Sequence, residues 1–316
     1  MSASIGMDTA HAAQLLRKGE LVAIPTETVY GLAANVFDGV AVWKVFEAKQ
    51  RPAFDPLIVH VHSMEQVREV VRHVPPEAVA LMERFWPGPL TLVLPKGPRV
   101  PDIVTSGLDT VGVRMPAHPM TMELLRRLDF PLAAPSANPF GYVSPTTAQH
   151  VADQLGSRIP YILDGGPCTV GVESTIIGWE HGVPVLYRPG GLPLELIEEV
   201  VGSVNPQVRH VLPVAPGMIE SHYAPRKPLR MGDVRALCAE EQGRRIGVLA
   251  FHDRFAVARC ETLSPAGDVN EAARNLFAAM RGLDASDVDV IIAEVFPEQG
   301  LGKAINDRLR RAAAKR

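Results

Sequence analysis

From the N-terminus to about residue 204, short apolar runs alternate with polar text rich in proline and glycine. The runs "LVAIP", "LIVHV", "LTLVLP", "VGVRMP", "FPLAAP", "YILDGG", "STIIGW" and "PVLYRPG" are bounded by turn residues and too short for ordinary helices, which predicts strands. Helical spacing marks residues 8–18, capped by Asp8 or Thr9 and stopped by Gly19. It recurs in "GVAVWKVFEAKQ", where Val42, Val45 and Phe46 share a side, in residues 63–86, in "TTAQHVADQLG" with Thr146 or Thr147 as cap, and in "PLELIEEVV". Strands and helices alternate irregularly, so the pattern predicts a mixed sheet rather than a strict βαβ repeat.

Periodicity then fades. Residues 205–230 carry Pro206, Pro213, Pro216, Pro225 and Pro228 and read as an extended linker. A second block follows, with "RIGVLAF" as a strand, "VNEAARNLFAAMRGLD" as a helix, "VDVIIAEV" as a strand and "GKAINDRLRRAAAKR" as a helix. The expected organisation is an α/β domain over 1–204, a linker over 205–230 and a small α/β lobe with a parallel sheet over 231–316.

Composition narrows the class. The chain has 316 residues, 47% hydrophobic and 21% charged, an ordinary globular balance. No apolar stretch approaches the ~18 residues of a membrane span, and "MSASIGMDTA" lacks the layout of a signal peptide. Cys168, Cys238 and Cys260 are too scattered for a disulfide framework or a zinc knuckle, so a reducing, cytoplasmic protein is expected. A net charge of −3 argues against a globally basic nucleic-acid binder.

The P-loop, dinucleotide, nucleophile-elbow and zincin patterns are all missing, so a nucleotide site would need scattered side chains. Polar clusters do stand at strand ends: "PTETVYG", "AKQRPAFDP", "TVGVRMP", "APSANPFGYVSPTT", "DGGPCTVGVESTI" and "LYRPG". Ligands in open α/β sheets commonly bind beyond strand ends, so these clusters can converge. Lys49, Arg51, Arg114 and Arg188 are cations beside apolar strands and need anionic partners. The arginine fork suits phosphate or carboxylate, lysine acts as a point charge, and Ser, Thr and Gly add donors. The sum reads as an anion pocket, with Glu27, Asp55 and Glu173 the nearby carboxylates.

Each residue alone also has a purely structural reading. Lys49 and Arg51 could end a helix. Arg114 could pair with Glu27 or Glu173. Ser136, Asn138 and Asp164 could form turns, Ser144 could lead into a helix, His60 could be a core histidine, and Tyr223 could pin the linker.

In this order, "PTETVYGL", "KxRPxxxPLIVH", "FWPGPLTLVL", "VGVRMP", "APSAN", "DGGPCTVGVESTI" and "LYRPG" resemble the threonylcarbamoyl-AMP synthase family. Residues 10–200 are similar to its YrdC-like catalytic domain. "PGMIESHYAP" resembles the linker of the two-domain form, and the C-terminal text resembles that form's Rossmann-like lobe. The resemblance implies a twisted mixed sheet with flanking helices and a second small α/β domain. It implies a reaction in which L-threonine, bicarbonate and ATP give threonylcarbamoyl-AMP and pyrophosphate, for the threonylcarbamoyl modification of tRNA adenosine. Carried over residue by residue, it implies that Thr28, His60, Arg114, Ala134 and Ser174 line a threonine pocket, Ala134 through its backbone. Arg51, Asp55, Thr110, Ser136, Ser144, Arg188 and Tyr223 would contact ATP. Lys49 and Asn138 would help hold phosphates, with Lys49 and Arg51 as the catalytic cations. Mg²⁺ would ride on the phosphates, and the intermediate would pass to a transferase machinery, with tRNA contact possible and no membrane partner. Because Tyr223 lies in the linker, the linker is expected to fold back as a lid over the cleft. The family often carries "RP-x-D-N-P" or "RP-x-D-H-P" in this loop; here "RPAFDP" places Phe54 and Asp55 at those two positions, so it departs from the pattern and Asp55 must find a role. Two other classes stay open: an RNA-binding module without chemistry, and a carbamoyltransferase fed by carbamoyl phosphate.

Overall fold

A computed structural model describes residues 3–206 and 222–314. In chain order its strands are β1 (Ser4–Gly6), β2 (Val22–Ile24), β3 (Gly31–Asn35), β4 (Ile58–His60), β5 (Leu90–Pro95), β6 (Thr110–Arg114), β7 (Leu132–Ala133), β8 (Tyr161–Leu163), β9 (Thr175–Glu180), β10 (Val183–Arg188), β11 (Asn205–Pro206), β12 (Leu229–Met231), β13 (Ile246–Ala250), β14 (Arg259–Thr262) and β15 (Val290–Ala293). Among the described residues they form an eleven-stranded mixed sheet, in the order β1-β8-β2-β3-β7-β4-β6-β5-β9-β10-β11, and a four-stranded sheet, β12-β15-β13-β14. Every pairing in the smaller sheet is parallel, and its two central strands, β13 and β15, are buried along their whole length.

Local chemistry explains most boundaries. Asp8 caps helix Thr9–Arg17 through the amides of Ala10 and His11, and Gly19 leaves it at φ +71°. Thr147, not Thr146, caps Ala148–Leu155 by accepting from the His150 amide. The single helix expected over 63–86 is two, Met64–Val70 and Pro76–Phe85. Val71 leaves the first to pair with Lys96, and Pro75–Pro76 cannot continue a helix but suits the first turn of the next.

The span read as a linker gives up both ends. Asn205–Pro206 pairs with β10 at the edge of the large sheet, where a proline is tolerated. Leu229–Met231 enters the small sheet beside β15, so that sheet begins before residue 231. Residues 207–221, most of the expected linker, lie outside the described residues.

The two lobes share a core. Val29, Val143 and Val172 from the large lobe pack with Leu276, Phe277, Ile305 and Leu309 from the helices of the small one, and Tyr223 sits among them. Helices Val269–Ala285 and Gly302–Ala313 therefore lie against the large lobe, not merely beside it.

Candidate functional site

Four central strands meet in the register that builds the site. His60 on β4 stands opposite Arg114 on β6, and β7 runs antiparallel on the other side of β4. Alternation puts Ile58 and His60 on one face. That face, with Gly31 on β3 and Ala134 just after β7, forms the floor of a partly open cavity of about 50 Å³, room for a few waters. The site thus takes its floor from the face of the sheet and much of its wall from strand-end segments, among them Thr28 after β2, Ser136 after β7, Ser174 before β9 and Arg188 at the end of β10. Small side chains leave room above that floor. A Cβ on Gly31 would press to 3.3 Å from that of Ala134, so neither position fills the space above the strands.

Arg51, Arg114 and Arg188, distant in sequence, all line this cavity, together with Thr28, Ser136, Ser174 and Tyr223. Each guanidinium is at least nine-tenths buried. Arg114 Nη1 donates to Thr28 Oγ1 (2.8 Å), Nε donates to the Gly88 carbonyl (3.2 Å), and Nη2 pairs with Glu27 Oε1 at 2.7 Å, a contact off hydrogen-bond alignment. Of its two structural readings, the pair with Glu27 is the one that forms. Arg51 Nη2 lies 2.8 Å from Asp55 Oδ2 and donates to the Pro56 carbonyl. Arg188 donates to the Ser174 carbonyl from Nε (3.2 Å) and Nη2 (2.9 Å). Burial lowers the pKa of Arg51 and of Arg188 below the usual guanidinium value, so these cations are short of solvent and suited to a desolvated anion.

Backbone geometry holds the wall in place. The loop after Arg188 presses on the segment that carries Ser174: a Cβ at Gly190 would fall 2.3 Å from the Glu173 carbonyl oxygen. Tyr223 adopts φ +63°, costly for a bulky side chain, and the cost is borne at the cavity wall.

Other expected residues sit elsewhere. Lys49 does not line the cavity. Its buried Nζ donates to the Ser136 and Asn138 carbonyls, so it fastens the "PSAN" loop rather than facing a ligand. Burial, then the neighbouring Arg51, push its pKa well below the ordinary lysine value. The Asn138 amide donates to the Pro139 and Tyr142 carbonyls, which is its turn-forming reading. Asp164 is a turn residue too, accepting from the Tyr30 hydroxyl and the Gly166 amide. Asp55 is fully buried and turned to Arg51, a role as counter-ion to a cavity cation. Ser144 is buried one layer behind the cavity, its hydroxyl donating to Glu173 Oε1 (2.5 Å). Thr110 shares the face of Arg114, as its spacing implies, but stands at the far end of β6, about 13 Å away, paired with Pro95.

Sequence reasoning passed over two residues. His222 lines the cavity, and its ring packs edge-on against Tyr223 (4.1 Å between centroids) and Phe140 (5.8 Å). Arg308 backs the wall from the other lobe. In helix Gly302–Ala313 it falls on the buried stripe of Ala304, Ile305, Leu309 and Ala312, and a charge inside an apolar stripe is a legible signal.

The histidines here are neutral. His60 is buried beside Arg114 with no partner for Nδ1 among the described residues, and burial followed by that charge lowers its pKa to about 3. Burial and the surrounding Arg51, Lys49, Arg188 and Arg311 lower that of His222 well below the ordinary value. An unfolded chain regains protons near pH 6.5 while these imidazoles refuse them, so the unfolded state binds more protons and stability falls as the pH drops from about 6.5 toward 3. Denaturant titrations are expected to show a loss of about 2 kcal/mol per such imidazole between pH 7 and pH 5. A His60→Gln variant should lose correspondingly less over that interval; an unchanged slope would contradict a neutral His60.

Among the described residues no group of three or more His, Cys, Asp or Glu is placed to hold a metal. The carboxylates at the cavity are ion-paired, Glu27 to Arg114, Asp55 to Arg51 and Glu173 to Arg308. The donor set fits no protein-built metal centre; a metal ion fits only as a passenger on a phosphate ligand.

Three buried guanidiniums, hydroxyls and neutral imidazoles converge on one cavity of an α/β protein, a constellation of the class that holds anionic ligands by charge. A family model described as "Telomere recombination" (Sua5_yciO_yrdC) matches residues 14–190, and one described as "Threonylcarbamoyl-AMP synthase, C-terminal domain" matches residues 192–314. The chain is 48% identical to the threonylcarbamoyl-AMP synthase of Pyrococcus abyssi over 96% of its length and 94% of that protein. It is 45% identical to the Bacillus subtilis synthase over 97% and 93%. Its fold matches the crystal structure of P. abyssi Sua5 complexed with L-threonine at a TM-score of 0.93 and 44% identity, covering 98% of each chain. The chain belongs to the threonylcarbamoyl-AMP synthase family, in its two-domain form.

Proposed function

We propose that the cavity carries out L-threonylcarbamoyladenylate synthesis: L-threonine, bicarbonate and ATP give threonylcarbamoyl-AMP, pyrophosphate and water. The observation that carries this reading is the convergence of Arg51, Arg114 and Arg188 on one buried cavity. Arg114, with Thr28 and neutral His60, offers a cation and hydroxyl to a small zwitterion's carboxylate. Arg51 and Arg188 make up the nucleotide side, and Ser174, expected in the threonine pocket, joins them in this reading because its carbonyl and hydroxyl accept from Arg188.

The threonine amine condenses with bicarbonate to a carbamate, releasing water. A carbamate oxygen then forms a bond to the α-phosphorus of ATP as the bond to the bridging oxygen breaks and pyrophosphate leaves. No protein nucleophile is needed; the demands are alignment of two reactants and fixed positive charge where negative charge develops. Mg²⁺ enters on ATP as part of the substrate. The cavity as it stands is too small for a nucleoside triphosphate, and His222 and Tyr223 are the part of its wall that follows the span expected to be a linker. We therefore read this segment as the described end of the lid, displaced when ATP enters. Lys49 and Asp55 act behind the cavity, by holding the "PSAN" loop and Arg51. A cytoplasmic site of action, in series with a transferase that modifies tRNA, fits a product too labile to travel far.

The testing experiment is pyrophosphate release with each substrate omitted in turn. Dependence on threonine, bicarbonate and ATP together is expected. Release that instead requires carbamoyl phosphate would favour the carbamoyltransferase reading, and RNA binding with no release would favour the binding module. Thr28→Val, which keeps the shape but removes the hydroxyl shared by Arg114 and Thr26, is expected to raise KM for threonine about tenfold and to cost about 1–3 kcal/mol of stability while the fold is kept. Unchanged threonine kinetics would remove Thr28 from the pocket.

A further inference from the structure

Arg308 is the largest fully buried side chain outside the cavity lining, and it comes from the lobe that carries no part of the proposed chemistry. Its Nε pairs with Glu173 Oε2 at 2.8 Å, its Nη1 with Asp307 Oδ2 at 2.5 Å, and its guanidinium carbon lies 5.0 Å from the centroid of the Tyr223 ring. Nη2 is buried without a hydrogen-bond partner among the described residues. Glu173 is the one carboxylate in the cavity lining among the described residues, and its other oxygen accepts from Ser144.

A bare carboxylate in the wall of a triphosphate pocket opposes the ligand. This one is held ionised: burial works against the charge, but Arg308 first, then Arg188, lower its pKa. Arg188 can supply only part of that compensation if it is to serve the ligand. Arg308 comes at Glu173 from behind, where no ligand reaches.

We propose that Arg308 is a positioning residue of the nucleotide side: it cancels the charge of Glu173 from the C-terminal lobe, so that this carboxylate can hold Ser144 without repelling ATP, and it seats Tyr223 under its guanidinium. A second contact agrees in direction. Arg281, on helix Val269–Ala285, donates to the Val143 and Ser144 carbonyls, so both helices of the small lobe make polar contacts with the segments that carry Ser144 and Glu173. The small lobe is thereby a determinant of ATP affinity.

The inference rests on the nucleotide reading of the cavity. The test measures the Kd for ATP and for L-threonine by calorimetry on the full chain, for wild type, R308M, E173Q and R308M/E173Q. R308M, which exposes the Glu173 charge, is expected to weaken ATP by on the order of 10- to 100-fold, the scale of one charged partner, and to move threonine less than about threefold. R308M/E173Q, which has no unpaired charge left in the cavity wall while Asp307 keeps Arg311 as its partner, is expected to return ATP affinity to within about threefold of wild type. A double variant as weak as R308M, or equal losses for both ligands, overturns the proposal and leaves Arg308 as a lobe anchor. Should R308M not fold, R308K keeps the charge without the fork; ATP affinity within about threefold is expected, and a larger loss overturns charge cancellation. Wild-type protein that binds ATP but releases no pyrophosphate refutes the reaction while leaving this comparison decisive. Wild-type protein that binds no ATP refutes both.

Discussion

Arg114→Met is expected to lower kcat/KM for L-threonine by about 10²–10³. The guanidinium is where three demands meet. It donates to Thr28, it donates to Gly88, and it faces Glu27 at 2.7 Å, all within a cavity wall 4% exposed. Methionine keeps much of the stem but presents nothing to a substrate carboxylate. The same change leaves Glu27 buried and unpaired, so stability is also expected to fall, by about 3–5 kcal/mol. The two effects separate in Arg114→Met/Glu27→Gln. That double variant has no orphaned charge and should regain most of the stability while staying as inactive toward threonine as the single variant. Denaturant midpoints and initial rates of pyrophosphate release measure the two halves. Recovery of activity alongside stability would mean that Arg114 only holds the fold.

Cations were the most legible part of this site. Arg51, Arg114 and Arg188 flank apolar strands, and a buried guanidinium must find an anion, so their convergence could be argued before any coordinates. What a linear pattern could not supply was direction. Lys49 carries the same charge and neighbours Arg51, yet it points away from the cavity into two carbonyls. Thr110 shares a face with Arg114 as alternation demands, but alternation fixes the side of a sheet and says nothing of the distance along it. Asp55 had no role in an anion pocket until its partner was visible, since an ion pair four residues away in a loop obeys no period.

The fold followed the same division. Apolar runs and capped helices were legible, and even the two-residue β7 lay inside the run "FPLAAP"; β1, β11 and β12, which stand in polar or proline-rich text, were not, because so few positions show no periodicity. β3, which supplies Gly31 to the cavity floor, was hidden in "GLAAN", whose small residues read as a turn although all but the last are buried. Contacts between lobes were the least legible of all. Arg308 meets Glu173 across 135 positions of sequence, and only the misplaced charge on its helix hinted at a partner.

Arg188→Met is expected to cut kcat/KM for ATP by about 10²–10³, with KM for threonine moving only a few-fold. Arg188 closes β10, and the ladder to β9 shifts register between Leu186 and Arg188. Such an irregularity re-aims the side chain that follows it. Here it turns a guanidinium from the sheet toward the cavity, 3% exposed, with Nε and Nη2 both on the Ser174 carbonyl. That grip leaves the cation fixed before any ligand arrives, so it need not reorganise as charge builds on the α-phosphate. Arg188→Lys tests the grip apart from the charge. A lysine brings a point charge on a flexible stem and cannot make the paired contact with Ser174, so an intermediate loss of about tenfold is expected. Rates of pyrophosphate release against ATP concentration measure both variants. If lysine restored full activity, net charge alone would be sufficient, and the register shift that aims Arg188 would have no catalytic consequence. If methionine weakened threonine and ATP alike, the residue would belong to the frame of the cavity and not to its nucleotide side.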